Sequence, residues 1–351
     1  MRMVMRIQAR LVASNVTPSR SLLTRQSDMN LLFLGTSAGV PTKQRNVSAI
    51  ALQESKGKGW YLVDCGEGTQ HQVLHTKLSF HSLKAILITH VHGDHCYGLP
   101  GILASAAMGG RTAPLTLVAP KGIQTWLEAT CAVTQLCLPF ALEFICADDL
   151  PSIEFENMAV ETSALSHRVP CYAYTFTERN VEAALDVDKL DRHGIPRGPL
   201  WGQLKQGMEV AFEGKPLRSQ DYLLFKHAPR KVVIAGDNDQ PELLAQACAG
   251  AQVLVHEATY TEAMAEKAGE VGHSYGRQVA AFAEQVGLPH LVLTHFSPRY
   301  PLISHTVPSI ADIQREAQSV YSGALFLAQD FSEYHLDKAG HVTEQTQEPP
   351  G

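Results

Sequence analysis

The chain predicts an α/β fold, a layered sandwich of two strand-rich halves with helices between and outside them. Three observations carry this. Short apolar strands alternate with helical stretches from Asn30 onward, the alternation falls into two series, and 45% of the 351 residues are hydrophobic, enough for a sizeable core. The first series has strands near 31–34, 48–52, 60–64, 85–88 and 115–118, each a short apolar run, and helices near 67–76, 97–108 and 121–134. The second has strands near 142–146, 158–165, 171–177, 231–235, 252–256 and 290–294, and helices near 240–248, 274–286 and 308–319. Between about 178 and 208 the rhythm breaks. That stretch is polar and carries Gly194, Pro196, Gly198, Pro199, Gly202 and Gly207, so an insertion projecting from the core is expected there.

The domain plan that follows is a leader over 1–28, one folded domain over 29–335 bearing the insertion, and a polar tail over 336–351, expected to fray. The leader holds five Arg, no Lys and a single acid, Asp28, a pattern that resembles an organellar transit peptide. The simpler reading is a disordered upstream extension, because Met29 is followed at once by the strand around Leu31 to Leu34. The seven cysteines (Cys65, Cys96, Cys131, Cys137, Cys146, Cys171 and Cys248) are scattered and form no C-x-x-C pair, which argues against a disulfide framework or a thiolate metal site. A reducing, cytoplasmic setting is expected, with organellar import through the leader as the minor alternative. No apolar stretch approaches the length of a membrane span, so no membrane partner is expected.

Chemistry concentrates in Thr89-His90-Val91-His92-Gly93-Asp94-His95, directly after the apolar run Ala85-Ile86-Leu87-Ile88. His90 and His92, two apart on extended chain, point the same way. Gly93 allows a sharp turn, and Asp94 and His95 fall where a helix can begin. Such a loop can feed two metal ions, and imidazole mixed with carboxylate suits zinc, although the donor types alone do not separate zinc from manganese or iron.

One loop cannot close a dinuclear site, so further ligands are sought at the ends of other apolar strands. Three stand out: His167 after the strand Val160 to Leu165, Asp237 after Val232-Val233-Ile234-Ala235-Gly236, and His295 after Leu291-Val292-Leu293-Thr294. Each alone reads more simply as a cap or loop residue. Together with the first loop they supply five His and two Asp, enough for two ions if one carboxylate bridges them. Two adjacent ions can clamp the attacking and leaving oxygens of a phosphoester.

From Met29 to Glu333 the chain resembles the short form of ribonuclease Z, nearest the bacterial zinc phosphodiesterases also called ribonuclease BN, in the metallo-β-lactamase superfamily. The resemblance is carried by Phe33-Leu34-Gly35-Thr36-Ser37-Ala38-Gly39-Val40-Pro41, Asp64-Cys65-Gly66-Glu67-Gly68-Thr69-Gln70, the His90 to His95 loop, Gly236-Asp237, His256-Glu257-Ala258-Thr259 and Thr294-His295-Phe296-Ser297-Pro298-Arg299-Tyr300. It implies a metallo-β-lactamase αββα sandwich with a protruding arm. It also implies two zinc ions per subunit, one on His90, His92 and His167 and the other on Asp94, His95 and His295, with Asp237 between them. The implied activity is endonucleolytic removal of the 3′ trailer from precursor transfer RNA, with 3′ exonuclease trimming in some members. The implied assembly is a homodimer in which one subunit's arm holds RNA cleaved by the other.

The resemblance assigns Asp94 as proton acceptor and His273, supported by Glu257, as proton donor to the leaving oxygen. Two departures from the family pattern surround these residues: His273-Ser274-Tyr275 has Tyr where Thr is usual, and Asp237 is followed by Asn238 instead of Thr. For RNA contact the loop Pro41-Thr42-Lys43-Gln44-Arg45-Asn46 offers Lys43, Arg45 and Asn46 near the 3′ end. Arg299 is suited to a phosphate oxygen, and Arg197 and Lys205 belong to the segments that resemble the arm. The plain reading of each is an ordinary surface residue. A net charge of −6 does not favour a general nucleic-acid binder, so any RNA affinity must be local. Within the superfamily the rival reading is a small-molecule metallohydrolase acting on a thioester, lactone or lactam. Outside it, the rival is a silent RNA-binding module.

Overall fold

The computed structural model describes residues 28–302, 304 and 307–346, so the readings placed on the leader lie outside the described residues but for Asp28. The chain runs through β1 (Met29–Gly35), β2 (Ala49–Gln53), β3 (Trp60–Val63), β4 (Leu83–Leu87), β5 (Leu115–Ala119) and β6 (Leu142–Cys146). It continues through β7 (Ser152–Glu154), β8 (Met158–Leu165) and β9 (Cys171–Glu178). An excursion then holds β10 (Ala183–Leu185), β11 (Val210–Phe212), β12 (Lys215–Leu217) and β13 (Leu223–Phe225). The chain returns through β14 (Lys231–Ala235), β15 (Val253–Glu257), β16 (His290–Thr294), β17 (Ala324–Leu327), β18 (Ser332–Leu336) and β19 (Val342–Thr346).

Two large sheets result, one in the order β19-β18-β1-β2-β3-β4-β5-β6 and the other β17-β16-β15-β14-β9-β8-β7. The apolar runs explain why. Leu31, Phe33, Leu52, Tyr61 and Val63 of the first sheet meet Val160, Tyr174, Phe176, Val232 and Val255 of the second in a central core. The alternate residues Leu32, Leu34, Leu62 and Ile86 face outward beneath the helices Leu99–Met108 and Lys121–Thr134. Val233, Leu254, Leu291 and Leu293 do the same beneath Gly276–Gln285 and Ile310–Gln318. Strands buried on both faces read as continuous hydrophobic runs, and each fully buried Val, Leu or Phe contributes about 1.5–3 kcal/mol. The order of layers is helix, sheet, sheet, helix.

Two expectations need correction. The strand near 142–146 pairs in parallel with β5 and belongs to the first sheet, not to the second series. The tail after Leu336 does not fray at once: β18 pairs with the edge strand β1, and β19 pairs with β18, so the C-terminal segment covers an edge left open by the rest of the sheet. The excursion is also longer than its Gly and Pro content suggested. It runs from Glu178 to Arg230, carries helices Val187–Arg192 and Pro199–Lys205, and has a small core of its own around Leu190, Ile195, Leu204, Leu217 and Tyr222.

Strands β3 to β6 are mutually parallel, as are β14 to β17. The carboxyl ends of β3, β4, β14, β15 and β16 are followed by Asp64, His90, Asp237, Thr259 and His295, and these side chains converge on one edge of the sandwich. Crevices outside the carboxyl ends of parallel strands are where α/β sheets gather functional groups. The excursion is rooted at the opposite edge, because β9 ends and β14 begins there.

Candidate metal centre

His90 lies three residues beyond β4, fully buried, and His92 caps the short helix Gly93–Cys96 that carries Asp94 and His95. Gly93 is needed for a reason other than turn freedom. A Cβ there would come 2.2 Å from the Tyr97 ring, which folds back over the first turn. His167 stands in the turn between β8 and β9, Asp237 follows β14, and His295 follows β16 with a left-handed φ of 57°. A non-glycine residue held there is strained, and surrounding structure must impose it.

These seven residues meet as two groups of ligand atoms. His90 Nε2 is 3.0 Å from His92 Nδ1, which is 3.2 Å from His167 Nε2. Asp237 Oδ2 lies 3.5 Å from His90 and 3.7 Å from His167. In the second group His95 Nε2 is 3.2 Å from His295 Nε2, and Asp94 Oδ2 is 3.5 and 3.3 Å from them. Asp237 Oδ1 is 3.5 Å from His95 and 3.4 Å from His295, so the two oxygens of this carboxylate face different groups. Nitrogens and oxygens spaced this way are the edges of coordination polyhedra rather than hydrogen-bonded pairs. Asp237, His273 and His295 form a further set of ligand atoms within 4.8 Å of one another.

Electrostatics favour cations here. Burial pushes His90, His92 and His167 below the ordinary imidazole range, which keeps their ligand nitrogens unprotonated. Burial alone would raise Asp94 and Asp237, but the clustered imidazoles hold both well below the usual carboxylate range. Two ionised acids and the neutral His90, His92 and His167 suit a divalent ion. For His95 burial is outweighed by Asp237, Asp94 and Asp64, which raise it above the ordinary imidazole range, so an ion there has to displace a proton.

The far nitrogens of four ligands are fixed as well. His95 Nδ1 donates to Asp64 Oδ2 at 2.7 Å, and His167 Nδ1 to the Gly272 carbonyl at 2.6 Å. His90 Nδ1 meets Thr89 Oγ1 at 3.0 Å, and that hydroxyl donates to Asp64 Oδ2 at 2.9 Å. His295 Nδ1 meets Thr259 Oγ1 at 2.9 Å, and that hydroxyl donates to Glu257. Two imidazole–threonine–carboxylate relays therefore mirror one another, and such partners set the tautomer and ring direction of metal ligands. Asp64, Thr89 and Thr259 were not singled out as site residues from the sequence. The available signal was the position of Asp64 at the end of the apolar run 60–63, the same signal that identified Asp237.

Glu257 is 1% exposed and accepts from Asn238 N, Ser274 N, Thr259 N and His273 Nδ1 at 3.0–3.2 Å. Burial lowers the His273 pKa, but Glu257 and Asp237 outweigh it and hold the imidazole up to about 9. The departures at Asn238 and Tyr275 leave this intact. Ser274 Oγ donates to the Asn238 carbonyl at 2.6 Å, and Asn238 Oδ1 accepts from the Ser166 and Gln240 amides.

The residues proposed for RNA contact divide. Lys43 is exposed, and Arg299 is exposed with its guanidinium 5.3 Å over the Tyr260 ring, which in turn lies 6.1 Å from His273. Arg197, 5.3 Å over Trp201, and Lys205 are exposed on the excursion. Arg45 is different. It is 6% exposed, and its guanidinium donates to the Tyr300 and Ser297 carbonyls, holding two loops together. Asn46 likewise gives its amide to Glu67 O and its backbone N–H to Asp330. Arg45 looks inward because the loop folds against residues 296–301, whereas Asn46 stays half-buried at the loop's edge.

A family model described as anti-Pycsar protein Apyc1 matches residues 29–179. A ribonuclease Z of Pseudomonas putida is 54% identical over 313 residues, covering 89% of this chain and 98% of that protein. Among solved structures, human tRNase Z, short form, superposes with a TM-score of 0.59 at 26% identity, covering 87% of this chain and 98% of the other. The metallo-β-lactamase fold protein YhfI of Bacillus subtilis gives a TM-score of 0.58 at 17% identity, covering 88% and 99%, a likeness of fold. With two sheets packed face to face, a pair of ligand groups sharing one aspartate, and this identity over nearly the full length of a curated relative, the chain belongs to the ribonuclease Z family on a metallo-β-lactamase fold.

Proposed function

We propose that the protein is a metal-dependent endoribonuclease that removes the 3′ trailer of precursor transfer RNA. The observation that carries this is the shared Asp237 between two ligand groups, in a chain 54% identical to a ribonuclease Z. The cofactor in this reading is two zinc ions per subunit, one held by His90, His92 and His167, the other by Asp94, His95 and His295, with Asp237 facing both. When bound, they supply positive charge to a phosphodiester and acidify water.

The protein's own groups do the rest. Asp94 Oδ2 accepts the Gly39 N–H at 2.7 Å, which orients it to take the proton of the attacking water. His273, aimed by Glu257, donates a proton to the departing 3′ oxygen. Arg299, steadied over Tyr260, holds a phosphate oxygen, Lys43 draws the 3′ end, and Arg197 and Lys205 belong to an arm that grips the RNA body. Arg45, buried against the Tyr300 and Ser297 carbonyls, shapes the loop from which Lys43 and Asn46 reach the RNA. Family membership does not favour the small-molecule metallohydrolase reading.

A homodimer fits two features. The arm leaves the edge of the sandwich opposite the metal centre, and Leu74, Tyr97 and Met108 stand 71%, 64% and 91% exposed around two neighbouring helices. No described helix is long and apolar enough to cross a membrane, and a cytoplasmic location is part of the proposal. The test is to incubate the zinc-loaded protein with a precursor transfer RNA and map the product ends, with His273→Ala as control. A single cut at the start of the trailer supports the reading. A ladder from the 3′ end points to exonuclease trimming, and no metal-dependent product sinks the proposal.

A further inference from the structure

The arm meets the sandwich through two chain crossings, Glu178 at the end of β9 and Arg230 just before β14. These residues form a buried, two-pronged ion pair, Arg230 Nε to Glu178 Oε2 at 2.9 Å and Nη2 to Oε1 at 2.7 Å. They are 1% and 5% exposed. The Glu178 N–H also donates to the Arg230 carbonyl at 2.8 Å. Two further contacts anchor the pair to the body: Ser55 Oγ donates to Glu178 Oε1 at 2.8 Å, and Arg230 Nη1 donates to the Leu336 carbonyl at 3.0 Å. His227 lies 3.8 Å from the same carboxylate. The root thus gathers both legs of the arm, the turn between β2 and β3, and the end of β18.

Three other ties at this root are more open to solvent. Lys56 Nζ donates to Asn180 O, Lys226 pairs with Glu182, and Arg179 pairs with Glu154. Exposed pairs hold little, and salt screens them. A buried pair must overcome the desolvation of both charges, and apolar residues of similar size are often no less stabilising, so its distinctive contribution is fixed geometry. β14 and Gly236 separate Arg230 from Asp237, roughly 23 Å along extended chain, so the pair does not touch the metal ligands.

We propose that Glu178 and Arg230 are positioning residues for RNA binding, fixing the direction in which the arm leaves the sandwich so that arm and metal centre engage one RNA together. The inference rests on the reading of the arm as the RNA grip. Arm and metal centre are two attachment points for one ligand, and the stiffness of the link between them sets how readily the second engages after the first. A loosened root costs affinity for a substrate that touches both. It costs nothing for a substrate that touches only the metal centre.

The experiment compares full-length wild type with the double variant Glu178→Met/Arg230→Met, which removes both charges of the pair together. KM and kcat are measured on precursor transfer RNA and on bis(p-nitrophenyl) phosphate, with thermal unfolding followed alongside. The expected result is a rise of about tenfold in KM for the RNA, with its kcat and both constants for the small diester unchanged. An unchanged RNA KM in the folded variant overturns the proposal, as does a parallel loss on both substrates. Glu178→Asp, which keeps the charge but withdraws the carboxylate from the guanidinium, provides a gentler version. It should raise the RNA KM in the same direction, and no rise counts against the proposal. Replacing residues 183–225 by a short linker separates the two ideas. If that deletion leaves the RNA KM untouched, the arm reading itself fails, whereas a rise with no effect of the pair variants sinks only the role of the pair.

Discussion

Asp64 illustrates how much of this centre depends on groups that never meet an ion. Its Oδ2 accepts from His95 and from the Thr89 hydroxyl, which supports His90, so one carboxylate steadies a ligand in each group. It also sits at a left-handed φ of 60°, a strain that its Thr89 contacts hold in place. Asp64→Asn should weaken metal binding about 10–100-fold, read by competition with a chromophoric chelator, while a variant that keeps wild-type affinity would remove Asp64 from the centre. His273 is the second residue-level case. A donor must hold its proton, so kcat should fall as pH rises past the His273 pKa, which Glu257 and Asp237 raise against burial. Glu257→Gln removes the stronger of these two influences, and the alkaline limb of the pH profile should move to lower pH. An unmoved limb would assign that titration to another group. His273→Ala should lower kcat about 10²–10⁴-fold with bound metal unchanged.

At the scale of elements, each ligand is placed by the way a strand ends. β4, β14 and β16 deliver His90, Asp237 and His295 to one edge because parallel strands all finish on the same side. His167 arrives differently, from the turn between antiparallel β8 and β9, and the loop before helix Gly276–Gln285 fixes it. In that loop Gly272 has a φ of 74°, and a Cβ would sit 2.9 Å from His167 Nδ1, the atom that donates to its carbonyl. Gly272→Ala should therefore cost about 1–2 kcal/mol of backbone strain and loosen the ion on His90, His92 and His167 before the other. A metal titration that loses one ion first would show this, and two unchanged affinities would refute it. In the central core, Leu52→Ala should lower unfolding free energy by about 2–5 kcal/mol without altering metal content, checked by denaturant titration.

The whole molecule sets a cation-binding edge on one side and an arm root on the other. Without cations, Asp94, Asp237 and the imidazoles around them are left to balance one another in a largely buried space. Chelation should abolish cleavage and lower the unfolding temperature together, and zinc should restore both, because an ion bound only by the folded state adds about 2.7 kcal/mol at a hundredfold excess over its Kd. Loss of cleavage with an unchanged melting curve would mean the ion lies outside this centre.

Much of this was legible in the residues. The spacing H-x-H-x-D-H, together with a His or Asp after each of three apolar runs, identified all seven residues of the two ligand groups, since metal ligands need particular donor types and strand ends are readable from hydrophobic patterning. The apolar runs likewise foretold two strand-rich halves of a layered α/β sandwich, while the order helix, sheet, sheet, helix was implied by the resemblance. Arg45 shows the limit: a polar loop looks solvated in sequence, but whether a cation faces water or a carbonyl depends on what folds against it, here residues 296–301 from the far end of the chain. Asp64, Thr259 and the Glu178–Arg230 pair were decided at the same level, as were the place of β6 and the strand made by the tail. Donor types, strands and the family resemblance are readable from the residues because each is local in the chain. Which nitrogen faces which oxygen, and how the arm is anchored, emerge with the fold, because those depend on contacts between segments that sequence spacing does not bring together.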